Sequence, residues 1–183
     1  PDNARHRPAS AGVFLGFDFH LGERGPQLIE INTNAGGGLL NARLLHAQLA
    51  VCDHALGRLA GRTVESDFLA MFREEWRLAG SDRPLRRIAI VDEAPATQFL
   101  LPEFLLFQRL FEEAGIAAVI ADPRELSLDN GRLRCRGDDI DLVYNRLTDF
   151  SLEEPQNAVL REAWLSDAVV LTPHPYAHAV YAD

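Results

Sequence analysis

The stretch Glu30-Ile-Asn32-Thr-Asn34 is the part of this sequence best equipped for chemistry. On an extended strand, residues two apart share a face, so Glu30, Asn32 and Asn34 are expected to project together, with Ile29, Ile31 and Thr33 opposite. Carboxylate and carboxamide oxygens in that register suit a hard cation such as Mg²⁺, which takes few protein ligands and fills its shell with phosphate and water. Asp18, on the preceding alternating run, is expected to reach the same ion. A solvated hairpin face is the competing reading, and the short Glu-x-Asn pattern does not choose between them.

Four further groups carry chemical potential. Gly36-Gly37-Gly38 stands directly before a helical pattern, where backbone N–H groups unobstructed by Cβ atoms can receive a phosphate or carboxylate. It lacks both dinucleotide-fingerprint spacing and a P-loop lysine, and a plain linker is the alternative. Tyr144-Asn-Arg146-Leu-Thr-Asp149 falls at the end of an apolar strand pattern, the edge at which open α/β sheets bind ligands. Arg146 there could pair with a substrate carboxylate, or simply with Asp149 as a surface salt bridge. Asp92-Glu93 has the same placement with less specificity. His174 and His178 have the spacing of a helical metal pair but no third ligand, so polar positions on a terminal helix are expected. No nucleophile-elbow pattern supports a hydrolase.

The elements that must hold these residues are legible as alternations. Gly12 to Leu21 and Gln27 to Asn32 read as two strands of a hairpin joined by Gly22-Glu-Arg-Gly-Pro26. Helical spacing runs from Leu39 to Leu59 and from Glu65 to Leu78. Gly80-Ser-Asp-Arg-Pro84 is the one boundary signal, giving an expected division into 1–80 and 81–183. Beyond it, Arg87–Asp92 and Ile116–Ala121 are apolar strands around an amphipathic helix, Leu101–Ala114. Asp129-Asn-Gly131 marks a tight turn between Leu128 and Leu133. Strands at Ile140–Asn145 and Ala168–Thr172 flank a helix at Glu153–Leu165. The expected fold class is α/β: a hairpin with helices, then a mostly parallel sheet flanked by helices on both faces.

Composition narrows the partners. A length of 183 residues and a net charge of −9 give a sizeable core and argue against binding a phosphate backbone, so nucleic acid is not expected. All 18 basic residues are Arg and none is Lys, so this chain cannot itself hold a triphosphate or form a Schiff base through a lysine. No run approaches the roughly 20 apolar residues of a membrane span, and the polar start is no secretory signal. A cytoplasmic protein is expected, with Cys52 and Cys135 as unpaired, small apolar side chains.

The run Gly16-Phe-Asp18-Phe, followed by Pro26-Gln-Leu-Ile-Glu30-Ile-Asn32-Thr-Asn-Ala-Gly-Gly, resembles the Mg²⁺-binding hairpin of eukaryotic-type glutathione synthetases. PEFLLFQRLFEEAGI, DLVYNRLTDF and VVLTPHPYAHAVYAD are similar to segments of their bacterial relatives, the circularly permuted ATP-grasp proteins. The resemblance spans nearly the whole chain. It implies part of an ATP-grasp domain followed by a Rossmann-like substrate (pre-ATP-grasp) domain. It also implies an ATP-dependent ligase that joins a carboxylate to an amine through an acyl phosphate, with Mg²⁺ and ATP as cofactors.

By position, the resemblance makes Glu30, Asn32 and Asp18 metal ligands and Arg146 the holder of a substrate carboxylate; Asn34, Gly36, Gly37 and Asp149 complete the expected substrate set. Gly16 stands where those synthetases place a substrate-binding Arg, and Ala35-Gly-Gly-Gly38 replaces their serine-rich loop, so γ-glutamylcysteine is not the expected acid. The ATP-binding lysines that the family places after the substrate domain are not in this sequence, so catalysis by this stretch alone is not expected. A non-catalytic α/β binding or docking module is the alternative. Small carboxylate and amine partners are expected, no membrane is, and a homodimer stays open.

Overall fold

The computed structural model of the chain describes residues 5–12, 14–51 and 63–182. Strands β1 (Gly16–Gly22) and β2 (Gly25–Asn32) form the expected antiparallel hairpin, and Gly25 at its turn takes a φ of 90° that side-chain-bearing residues rarely adopt. Asp18 pairs with Glu30 and Phe19 with Leu28, so Ile29 is an extra residue, a β-bulge. The first strand begins at Gly16 rather than Gly12. The backbone of the preceding residues is claimed elsewhere: the Ala11 and Gly12 amides donate to the buried Glu75 carboxylate at 3.0 and 2.9 Å.

Helix α1 (Gly38–Val51) follows the glycine run. Its expected continuation to Leu59, and Cys52, lie outside the described residues. Helix α2 (Val64–Leu78) opens on a reciprocal cap in which the Ser66 amide donates to Thr63 Oγ1 and the Thr63 amide to Ser66 Oγ.

The remaining elements build the sheet domain. They run β3 (Arg87–Val91), α3 (Leu101–Glu113), β4 (Ala117–Ala121), β5 (Leu126–Asp129), β6 (Arg132–Cys135), β7 (Asp138–Asp139), β8 (Leu142–Asn145), α4 (Ala158–Leu165), β9 (Val170–Thr172) and α5 (Pro175–Tyr181). Strands β4-β3-β8-β9 make a four-stranded sheet, parallel throughout, and β5-β6-β7 a small antiparallel one. Helix α4 starts later than its apolar pattern because Pro155 opens a 3₁₀ turn over Pro155–Asn157 first.

Each central strand feeds two cores. Ile88, Ile90, Leu142 and Tyr144 face α2 and α3, meeting Phe72, Phe104, Phe107 and Phe111; Phe14 and Leu39 join the same cluster. Ala89, Val91 and Val143 face α4, meeting Leu160, Ala163 and Trp164, with Leu133 and Cys135 of the small sheet. Strands sandwiched in this way read as unbroken apolar runs, which is why RIAIV was visible in the sequence. On the first side the rings interlock: Phe72 lies edge-on to Phe111 and to Tyr144 at centroid distances of 5.0 Å each. At the N-terminal edge of the sheet, Asp141 accepts the Arg86 and Arg87 amides at 2.8 and 3.1 Å and pairs with Arg83 at 2.7 Å. Among the described residues, no helix is long and apolar enough to cross a membrane.

Candidate functional site

The hairpin carries Asp18 directly opposite Glu30, and Gly16 opposite Asn32. Cross-strand partners share a face, so Asp18, Glu30 and Asn32 stand on one side, with Phe17 opposite Ile31 on the other. All three polar residues are exposed. Asn32 Oδ1 already accepts the Asn34 amide at 3.0 Å, which leaves that oxygen a single free lone pair. Two facing carboxylates plus one partly committed carboxamide oxygen fit an ion such as Mg²⁺, which keeps most of its shell for water and phosphate. They do not make a closed protein cage: among the described residues no three His, Cys, Asp or Glu side chains converge on one point.

Asn34 departs from the expected register. Strand β2 ends at Asn32, and the chain turns there, so Asn34 does not line up with Glu30 and Asn32. Its side chain instead bridges to the sheet domain: the Asn34 amide nitrogen donates to the Leu147 carbonyl at 3.0 Å, and its oxygen accepts a short hydrogen bond from Arg146 Nη1. Thr33, just past the end of β2, is buried, and its hydroxyl meets His178 Nδ1 at 2.7 Å.

Arg146 sits at the C-terminal end of β8 and is only 7% exposed. Besides Asn34, its Nη1 donates to the Ala35 carbonyl at 2.8 Å, and its Nη2 reaches the Asn34 carbonyl at 3.4 Å. The guanidinium lies 5.4 Å over the Tyr144 ring, and its Nε has no hydrogen-bond partner among the described residues. Carbonyl dipoles and an aromatic face thus carry the buried charge, without an ion pair among the described residues. The alternative salt bridge to Asp149 does not form. The Asp149 carboxylate accepts the Glu154 amide and Asn157 Nδ2, each at 2.8 Å. Burial would raise its pKa, but these hydrogen bonds and those from the Glu153 and Ser151 amides outweigh burial and hold it below the usual carboxylate range.

The glycine loop has an occupant that sequence reasoning missed. Glu103, in the first turn of α3 and 1% exposed, accepts a short hydrogen bond from the Gly37 amide and one of 3.0 Å from the Leu39 amide. The anion at the N-terminus of α1 is therefore a side chain of the protein itself. Packing requires the glycines as well. A Cβ on Gly36 would fall 2.8 Å from both Arg146 Nη2 and Leu100 Cδ1, and one on Gly38 would fall 2.8 Å from the Phe68 ring.

Asp92, at the end of β3, is largely buried. Desolvation lifts its pKa to about 6, working with Glu93 and Asp122 against the Glu93 amide and Arg146. His174 and His178 are not a metal pair. His174 caps α5, with Nδ1 accepting the Ala177 amide at 3.0 Å and Nε2 meeting the Ser10 carbonyl at 3.2 Å, while His178 serves Thr33 and stacks on Phe150. Burial pushes the pKa of each imidazole down.

No protein-family model and no curated protein matches this sequence. The functional reading therefore rests on the residues and their arrangement. What the sheet edge brings together is Asn34, Gly36, Gly37, Glu103 and Arg146; Asp18 and Glu30 lie further out along the hairpin, and Asp149 and Asp92 belong to a neighbouring acidic group.

Proposed function

We propose that this chain contributes the metal-facing hairpin and carboxylate-binding edge of an ATP-dependent ligase that joins a small carboxylate to an amine. The observation carrying this reading is the short path from the Asp18–Glu30 pair, through the turn at Asn34, to Arg146 at the C-terminal end of a parallel strand. Ligands of open α/β sheets bind at that edge. In the proposed reaction, a carboxylate oxygen attacks the γ-phosphorus of ATP and ADP leaves. The amine then attacks the acyl carbon, and inorganic phosphate and a proton are released.

Asp18, Glu30 and Asn32 are the residues that would hold Mg²⁺. The ion, when bound, neutralises phosphate charge as it develops. Arg146 would orient the acid, and the Tyr144 ring and Leu100 beside it limit water at that charge.

A second reading, a binding or docking module without catalysis, is favoured by one observation: Glu103 already occupies the loop amides that a substrate anion would need. Both readings face the same assay. In the intact native protein, ADP release is expected to require a carboxylate and an amine together, and Glu30→Ala should reduce it at least about a hundredfold. Turnover unchanged by Glu30→Ala would remove the metal assignment, and no ADP release with any acid–amine pair would leave the docking module.

A further inference from the structure

Among the described residues, β1 pairs with β2 alone, so its outer row of backbone N–H and C=O groups faces away from the hairpin. Exposed apolar edges of this kind are templates for a further strand, and proteins usually blunt them with Lys, Pro or a bulge. Over its seven residues β1 reads Gly-Phe-Asp-Phe-His-Leu-Gly and has none of these. Pro26, which has no N–H to give, and the bulge residue Ile29 both lie on β2, so β1 is the better edge of the two. Its apolar side chains share one face, with Phe17 opposite Ile31, Phe19 opposite Leu28 and Leu21 opposite Pro26. Phe17 and Phe19 are about half exposed, and Leu21 more so. A two-stranded ribbon is marginal by itself in water, and an added strand on this edge would stabilise it.

Turned antiparallel about Phe19, β1 is complementary to itself. Phe19 then meets the partner's Phe19, Phe17 the partner's Leu21, and Asp18 the partner's His20. Carboxylate stands against imidazole N–H on the polar face, and rings stand against apolar side chains on the other, the kinds of cross-strand pair that stabilise a ladder. The neighbouring registers lack this match. A slip of one residue sets the apolar face of each copy against the polar face of the other. A slip of two sets Asp18 against the partner's Asp18, or His20 against the partner's His20, and like charges directly opposite are destabilising. The antiparallel order also leaves room for both copies. Each hairpin joins its own sheet domain near Gly16, which lies opposite the partner's Gly22, so the two domains stand at opposite ends of roughly 20 Å of ribbon.

We propose that the chain forms a two-fold dimer through β1, closing a four-stranded antiparallel sheet with one continuous apolar face. In each copy Asp18 then borders the partner's His20, so the partner supplies an imidazole beside the Asp18–Glu30 pair. The pairing itself does not rest on the ligase reading.

Sedimentation velocity of the intact native protein tests the proposal, over about 1 to 200 µM because a single strand pair belongs to the weak end of specific interfaces. A monomer–dimer equilibrium is expected. His20 is exposed, so His20→Glu should leave the melting temperature of dilute protein unchanged, and it should weaken the dimer about tenfold or more by opposing each Asp18 with a carboxylate. Oxidative crosslinking reads the register. In a C52S background, F19C should give a disulfide-linked dimer, because the two copies meet at that position. H20C should not, because its two copies lie roughly 8 Å apart, beyond the span of a disulfide. A monomer throughout the concentration range, as when another segment of the native chain covers β1, would overturn the proposal. So would dimer affinity unchanged by His20→Glu, or H20C crosslinking as readily as F19C.

Discussion

At the scale of single residues, buried carboxylates decide the behaviour of this molecule, and Asp92 gives the clearest pH signature. Its pKa of about 6 stands above the ordinary 3.8, with burial the main cause. Below about pH 4 the group is protonated in the folded and unfolded chains alike, so it contributes no difference. Between about pH 4 and 6 only the unfolded chain ionises, and stability falls as pH rises, by on the order of 2–3 kcal/mol once pH 6 is passed. Asp92→Asn keeps an oxygen for the Glu93 amide and removes that cost. Its melting temperature should exceed the parent's by roughly 5 °C near pH 7.5 and match it near pH 4, as followed by circular dichroism. An equal shift at both pH values would assign the effect to packing.

Glu103 shows where sequence reading stops at this scale. An acid in the first turn of an amphipathic helix is ordinarily a solvent-facing complement to the helix dipole. Nothing local says that its partners are amides of Gly37 and Leu39, which lie 66 and 64 residues away.

At the scale of elements, alternation and helical spacing were enough to place the hairpin, the βαβ unit and the later strands, because strands buried on both faces and amphipathic helices write their periods directly into the chain. The bulge at Ile29 and the turn that takes Asn34 off the strand face were not legible, since each depends on where the pairing slips and on the pull of Arg146 on Asn34. The same dependence explains why the set Glu30–Asn32–Asn34 divided, while Asp18 and Glu30 met across the hairpin. The glycine run was seen, but its cause is tight packing as much as open amides. Gly36→Ala would drive a methyl group to 2.8 Å from Arg146 Nη2 and Leu100 Cδ1. A loss of about 1–3 kcal/mol in urea unfolding is expected, because neither a buried guanidinium held by two carbonyls nor a packed leucine can retreat freely. An unchanged midpoint would mean that the loop is looser than its packing indicates.

At the scale of the whole molecule, one parallel sheet separates two cores, and each central strand belongs to both. Opening either side strips support from the other, so the described fold should melt as a unit. The two tryptophans report on opposite sides: Trp76 packs in the core with α2 and α3, and Trp164 in the core with α4. Trp76→Phe and Trp164→Phe therefore leave one fluorophore in each core. Within each variant, tryptophan fluorescence and far-ultraviolet circular dichroism should give coincident denaturant transitions. A fluorescence midpoint that departs from the dichroism midpoint in either variant would show two independently melting layers.

The hairpin stands away from that sheet with Phe17, Phe19 and Leu28 each about half exposed, and its attachments gather at one end: Thr33 to His178, Ala35 to Phe14, and Asn34 to Arg146. Mechanically this is a lever with its fulcrum at the sheet edge. A seven-residue arm such as β1 reaches roughly 23 Å, so a swing of about 10° carries the tip through about 4 Å. Asp18 and Glu30, two residues from the pivot end, would travel only about 1 Å in the same swing. The two carboxylates thus occupy the stretch of the arm nearest its attachment, where any sweep of the tip would cost them almost no change in aim.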